Sequence, residues 1–256
     1  MKQILAILLT ATALFSCSAP EYKIEGTIDG AEGTTLRLGY SKDGMEFTAT
    51  DSAVVENGKF QFHGKQKGCK IYYIEYPEAM DAPLYAMLFL EGGNIKVEIW
   101  PEDYTVTGTP TNDLNANVEA TLSQYVGTIL SCQDSLYNND NLSNEIKDEL
   151  NNKCYTTQCS AITYIQSVVR ENIKTMAGLY LLVQYCDLFD NEELQELAAE
   201  IPSANKDTDN NPLYEILLAI QEERSSPGSM EDILKAIEQE AGTFEIENGE
   251  ESQIVE

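Results

Sequence analysis

Tyr104-Thr105-Val106-Thr107-Gly108-Thr109-Pro110-Thr111-Asn112-Asp113-Leu114-Asn115-Ala116-Asn117-Val118-Glu119-Ala120-Thr121-Leu122 contains a change of period. Before Gly108 the residues alternate two by two, as in a strand. After Asn112 the apolar residues return every three or four positions, as in a helix. The chain therefore divides near residue 108, and each side can be followed outward from there.

Toward the N-terminus, short alternating runs are broken by turn residues. Tyr22–Ile28 meets Asp29-Gly30, and Thr35–Tyr40 meets Lys42-Asp43-Gly44. Thr48–Val55 leads through Glu56-Asn57-Gly58-Lys59 into Phe60-Gln61-Phe62. Asn-Gly between two runs marks a hairpin, because both turn residues need positive φ. Cys69–Tyr76 and Leu84–Leu90 are more continuously apolar and read as central strands. Ile95–Ile99 and Tyr104–Val106 complete about eight strands, the count of a β-sandwich or barrel-like sheet.

Toward the C-terminus, Leu114, Val118, Leu122, Tyr125, Ile129, Cys132 and Leu136 share one helix face. Asn138–Asn141 is a turn, and Ser143 caps a second helix running to about Lys174. That helix carries two apolar stripes. One is Ile146, Leu150, Cys154, Ala161, Ile165 and Val168; the other is Tyr155, Cys159, Ile162, Val169 and Ile173. Two stripes imply packing on two sides. Leu179–Leu188 is a short helix. Asp190 with Glu193 forms a capping box for the next, which ends before Pro202. Asn211-Pro212 opens another with Pro at the first position, and Ser229 opens the last, which stops at Gly242. The expected class is α+β: an N-terminal antiparallel β-sandwich or barrel-like domain (22–108), then an all-α helical bundle (109–243). An acidic tail (244–256) remains.

The N-terminus reads as a targeting segment. Lys2 precedes an apolar run from Ile4 to Leu14 that is too short to span a bilayer comfortably. Leu14-Phe15-Ser16-Cys17 resembles a bacterial lipobox, which implies that residues 1–16 are removed and Cys17 is lipidated. Residues 17–21 are then the tether. Ser18 after the cysteine does not signal inner-membrane retention. The expectation is a cell-envelope, outer-membrane lipoprotein facing the periplasm, held to the membrane through its lipid.

Charge narrows the function classes. The 256 residues include 43 Asp+Glu and 16 Lys+Arg, a net charge of -27. Residues 22–107 carry net -6 and residues 108–256 net -21. Such a chain repels phosphate backbones, so nucleic acid is excluded as a partner. The single histidine, His63, rules out a two-imidazole site, and alternation places it outward on a strand. Asp207–Asn211 suggests a calcium loop, but Pro212 and Leu218 stand where an EF-hand needs Gly and Glu. No metal or cofactor is expected. Five cysteines follow Cys17. Cys132 and Cys154 lie on apolar faces either side of a turn, as a cross-hairpin disulfide or as two buried free thiols. Asp51-Ser52-Ala53 and Asp134-Ser135-Leu136 resemble the acceptor of Bacteroidota protein O-glycosylation, which implies Ser52 and Ser135 as acceptors.

Four ordered pieces carry a wider resemblance. They are Tyr22-x-Ile24-x-Gly26, Asp51-Ser52-Ala53 with Asn57-Gly58-Lys59-Phe60, Phe89-Leu90-Glu91-x-Gly93-Asn94-Ile95, and Gly108-Thr109-Pro110-x-Asn112-Asp113. Together they resemble domain of unknown function 4369, found in lipoproteins of the Bacteroidota. In that family the domain often precedes a helical linker and a thioredoxin-like domain. Here no Cys-x-x-Cys occurs, and only 54 residues follow Pro202. Redox chemistry is therefore not implied for this chain. The reading is a non-catalytic module that binds an envelope protein, peptide or glycan. The alternative is an accessory or degenerate member of a thiol-disulfide system, using thiols among Cys132, Cys154, Cys159 and Cys186.

Overall fold

A computed structural model describes residues 19–41, 46–77, 84–101, 103–139, 141–206 and 212–226. The expected leader, lipidated Cys17, the helix after Ser229, the acidic tail and the Asp207–Asn211 loop lie outside the described residues.

Eight strands form two four-stranded sheets. The first has the order β4 (Lys59–Lys65), β1 (Glu21–Ile28), β7 (Gly93–Ile99), β8 (Tyr104–Thr107). The second has the order β3 (Phe47–Val54), β2 (Thr35–Ser41), β5 (Lys70–Tyr76), β6 (Leu84–Leu90). Period-2 alternation directs one side chain in two inward. Ile24, Phe60, Phe62, Ile95 and Val97 of the first sheet meet Leu36, Leu38, Ile74, Leu88 and Leu90 of the second in one buried cluster. The sandwich expected from the sequence is thus present, followed by helices. Its ladders are antiparallel with one exception among the described strands: β1 and β7 run parallel, Ile24 beside Ile95. Local alternation specifies a strand's faces but not its neighbour, so this pairing had no sequence signal.

Two local features set the strand geometry. Asn57 (φ 53°) and Gly58 (φ 69°) both take the left-handed conformation, so the hairpin turns as its sequence demands. Gly26 lies opposite Phe60 across the β1–β4 ladder. A Cβ there would stand 2.0 Å from the Phe60 ring, so the ring lies flat over the glycine.

The helical part consists of α1 (Pro110–Tyr137), α2 (Asn144–Asn172), α3 (Met176–Gln184), α4 (Asn191–Glu200) and α5 (Leu213–Ser225). The caps fall where the sequence places them. Ser143 accepts from the Ile146 amide, and Asp190 and Glu193 complete a capping box. Pro212 sits just before α5 rather than inside it. These helices bury the outer face of β5 and β6. Ile71, Met87 and Phe89 join Val118, Ile165, Val169, Leu179, Leu182 and Leu194 in a second core. Phe89 meets Tyr180 edge-on at 5.6 Å.

Two expectations are corrected. The Leu84–Leu90 strand is not central in its sheet; β6 is the hydrogen-bonding edge. It reads as central because the sandwich covers one face and the helices the other. The two-sided burial expected for α2 holds only at its C-terminal end. Ile165, Val168, Val169 and Ile173 are buried, whereas Tyr155, Cys159 and Ile162 are exposed. Among the described residues no third element reaches the far half of the α1–α2 hairpin.

Candidate functional site

β3 is an edge strand of the second sheet and is exposed along most of its length. From Thr48 to Ser52 every residue of this strand is exposed. Among the described strands it pairs with β2 on one side only, and a bulge between Leu38 and Gly39 shifts that register. β4 is in turn the edge of the first sheet. Between the two edges lies an open hollow of about 700 Å³, lined by Ser52 and Val54 of β3, Lys59 and Gln61 of β4, and Glu25 and Lys96 farther in. Backbone donors and acceptors at such an edge are free to pair with an extended chain. The mixed charges around it can orient that chain. A second open hollow of about 550 Å³ on the same sheet face is lined by Glu21, Lys23, His63 and Asn94. His63 is exposed there, as its alternation predicts.

A second group lies on the outer face of the other sheet. Glu75 on β5 is 3% exposed. Arg37 on β2 pairs with its carboxylate, and the Tyr85 hydroxyl donates to it at 3.0 Å. The guanidinium also lies 5.5 Å from the centre of the Phe47 ring. Burial, then the bond to Glu75, pushes the Tyr85 phenol above its usual range. A buried carboxylate is tolerated only with such partners. Here every partner is internal, so the arrangement ties β2, β5 and β6 together. Sequence reasoning missed it. The available signal was one carboxylate inside the run Ile71-Tyr72-Tyr73-Ile74-Glu75-Tyr76.

A third group joins sandwich to helices. The Phe89 amide of edge strand β6 donates to Asn112 Oδ1 at 2.9 Å. Asn112 Nδ2 returns a bond to the Phe89 carbonyl at 2.8 Å and another to Thr109 Oγ1 at 2.8 Å. One side-chain amide thus substitutes for a neighbouring strand. Beside it, Glu91 accepts from the Thr111 amide and hydroxyl at 3.0 and 2.9 Å. Asp113 accepts from the Gly108 amide at 2.7 Å. The Glu91 carboxylate also receives two donors near the start of α1, where the helix dipole favours an anion.

Cys69 lies against this junction. Burial, reinforced by Glu91, pushes its thiol up to about 12. Cys186 is also raised, by burial and then by Asp187. Nucleophilic thiols need the opposite shift. Cys69, Cys132, Cys154, Cys159 and Cys186 are all free. No bond joins Cys132, which is buried, to the half-buried Cys154. Ser52 is exposed on β3. Ser135 is half-buried in α1, and its hydroxyl donates to the Ser131 carbonyl at 2.8 Å. Among the described residues, no group of three or more His, Cys, Asp or Glu could hold a metal ion. No helix among them is long and apolar enough to cross a membrane.

Residues 22–115 match the family model described as Domain of unknown function (DUF4369). The match ends just past the Asn112 junction, so it takes in the start of α1. No curated protein matches the chain. Among solved structures, the crystal structure of (S)-allantoin synthase is similar over 36% of this chain and 44% of that one. Identity there is 8% and the TM-score 0.26, a likeness that carries no functional argument.

Proposed function

We propose that this chain, whose residues 22–115 form a DUF4369 domain, is a membrane-anchored envelope lipoprotein of the Bacteroidota that acts as a non-catalytic docking module. Cys17 carries the lipid and holds the protein at the outer membrane, facing the periplasm. The partner is another envelope protein, which presents an extended segment that adds as a strand to the edge of β3. The observation that carries this reading is the exposed edge beside the hollow between β3 and β4. Two further observations support it. The buried polar groups Glu75 and Asn112 are satisfied within the fold. Of the four thiols in the thiol-disulfide alternative, that of Cys186 is shifted away from reactivity, which weighs against its part in such chemistry.

Affinity capture from crosslinked native envelopes tests the reading. Val54→Lys places a charge on the free edge without touching the core, since Val54 is 52% exposed. Discrete partners captured by the wild type and lost with Val54→Lys are the expected result. Equal capture by both proteins rejects the edge as the docking site.

A further inference from the structure

Strand β1 begins at Glu21, four positions after Cys17. A chain spans at most ~3.6 Å per residue, so Pro20 lies no farther than ~11 Å from Cys17 by any path. Pro20 is already part of the folded body. Its carbonyl accepts the Gln66 amide at 3.0 Å. Its ring lies against Gly92, where an added Cβ would stand 2.6 Å away.

One end of the sandwich is gathered round Pro20. Glu21 lies opposite Lys65, Tyr22 opposite Gly93, and Lys70 opposite Leu90. This end therefore holds the turns after β4 (Gln66–Cys69) and β6 (Glu91-Gly92), and the corner from β8 into α1 (Gly108-Thr109). α1 leads away from it. Asn112 bonds Phe89 near this end of β6. Seven residues later comes Glu119. The Tyr104 phenol, at the opposite end of β8, is raised chiefly by burial and also by that carboxylate. At 1.5 Å per residue the 28 residues of α1 extend ~42 Å. The seven of β7 extend ~24 Å, so the helix outruns the strands.

In a chain of net charge -27 this end is close to neutral. Lys65, Lys67 and Lys70 stand against Glu21, Glu91 and Asp113, with Glu46 at the distant β3 edge. Glu21 lies 3.7 Å from Lys65. Glu91 and Asp113 accept bonds from the chain's own donors. Lys67 is exposed at the turn and Lys70 half-buried beside it. Among the described residues neither forms an ion pair. The next carboxylates along α1, Glu119 and Asp134, lie ~9 and ~32 Å beyond Asp113, outside the ~8 Å range of exposed charges.

We infer that the Lys65–Lys70 turn is a membrane-contact site, at which Lys67 and Lys70 meet the phosphates of phospholipid headgroups. The inference rests on the lipid at Cys17 proposed above. A lipid-bearing residue sits at the headgroup layer, which is ~5–7 Å deep on each side of the bilayer. The ~11 Å limit on Pro20 leaves this end no room to stand clear, and the flexible stem of a lysine covers the remaining gap. Tilting the molecule onto its acidic helices would bring carboxylates to phosphate instead. The contact thus orients the protein. α1 points away from the membrane, and the β3 edge runs outward from Phe47 to Val54.

The test uses the full-length lipidated protein in vesicles of three parts phosphatidylethanolamine to one part phosphatidylglycerol. A photo-crosslinking amino acid replaces Gln66 in one sample and Glu56, in the turn at the opposite end, in another. Phospholipid adducts are expected from position 66 and none from position 56. Lys67→Glu with Lys70→Glu should lower the yield at position 66 at least about fivefold, the factor for even one lysine at an anionic surface. Circular dichroism of that variant should match the wild type, and it should still float with the vesicles. Protein that fails to float overturns the anchor and the contact together. Protein that floats but labels lipid equally from both positions, from position 56 alone or from neither overturns the contact and leaves the anchor standing. So does a yield that the two substitutions leave unchanged.

Discussion

Asn112→Ala removes the side chain that serves edge strand β6 as a neighbour. Three hydrogen bonds go with it: two to the Phe89 backbone and one to Thr109 Oγ1. Phe89 is 1% exposed, so its amide and carbonyl are left without solvent as a replacement. An orphaned buried backbone group costs ~1–3 kcal/mol, which puts the two at about 2–5 kcal/mol together. With a urea slope of ~2–3 kcal/mol/M, the midpoint should fall by roughly 1–2 M. The assay has two reporters. Trp100 is the only tryptophan and stands just after β7, so its fluorescence follows the sandwich. Ellipticity at the helical wavelength follows α1–α5. The second core contains residues of both parts, so the two curves should coincide in the wild type. In Asn112→Ala both should shift, and the helical curve should separate first. The exposed neighbour Asn117→Ala should shift neither by more than ~0.5 kcal/mol. If Asn112→Ala falls within that same margin, the side chain is not what completes the β6 edge.

Arg37→Met strips the buried Glu75 of its cation. Because Arg37 itself is half-exposed, the loss should be about 1–3 kcal/mol by denaturant titration, below the ~3–5 kcal/mol of a fully buried pair. Asp190→Ala breaks the capping box of α4 and should cost about 1 kcal/mol in the same titration. Thiol footprinting by mass spectrometry at pH 8 should label exposed Cys159 promptly and leave Cys69 unmodified until the chain unfolds; equal rates would contradict the burial of Cys69. Cys69 and Tyr180 are both raised to about 12, chiefly by burial. The folded state therefore holds protons that the unfolded state releases. Stability should be unaffected below about pH 9 and fall progressively toward pH 12, as read from urea midpoints across that range. Cys17→Ser should abolish lipid labelling and move the protein from the membrane to the soluble fraction. A glycan, if attached, should be found by intact mass on Ser52, whose strand is exposed, and not on Ser135, whose hydroxyl is held by Ser131.

Much of the architecture could be read from periodicity, because alternation and the 3.6 period are local consequences of burial. Asn57-Gly58, Ser143 and the Asp190–Glu193 box appear where their backbone chemistry places them. What escaped was non-local. The β1–β7 parallel pair joins strands whose faces were read correctly but whose neighbours could not be. β6 looked central because covered faces, not hydrogen-bonded edges, determine hydrophobicity. α2 carries two stripes along its length, and only the last turns find something to pack against. The Glu75 group was visible as an isolated carboxylate in an apolar strand, yet nothing local linked it to Arg37, 38 positions earlier. Asn112 stands in the sequence only as part of a family pattern; its role depends on a strand edge 23 residues away.

The docking assignment for β3 is tested most directly by photo-crosslinking in the living envelope. A photoreactive residue at Val54, on the free edge, is compared with one at Thr105 on β8, at the far side of the other sheet. The account predicts one or a few discrete adducts from position 54, lost when Thr48→Lys blocks the same edge, and none from position 105. Adducts of equal yield from both positions, or none from either, would contradict it.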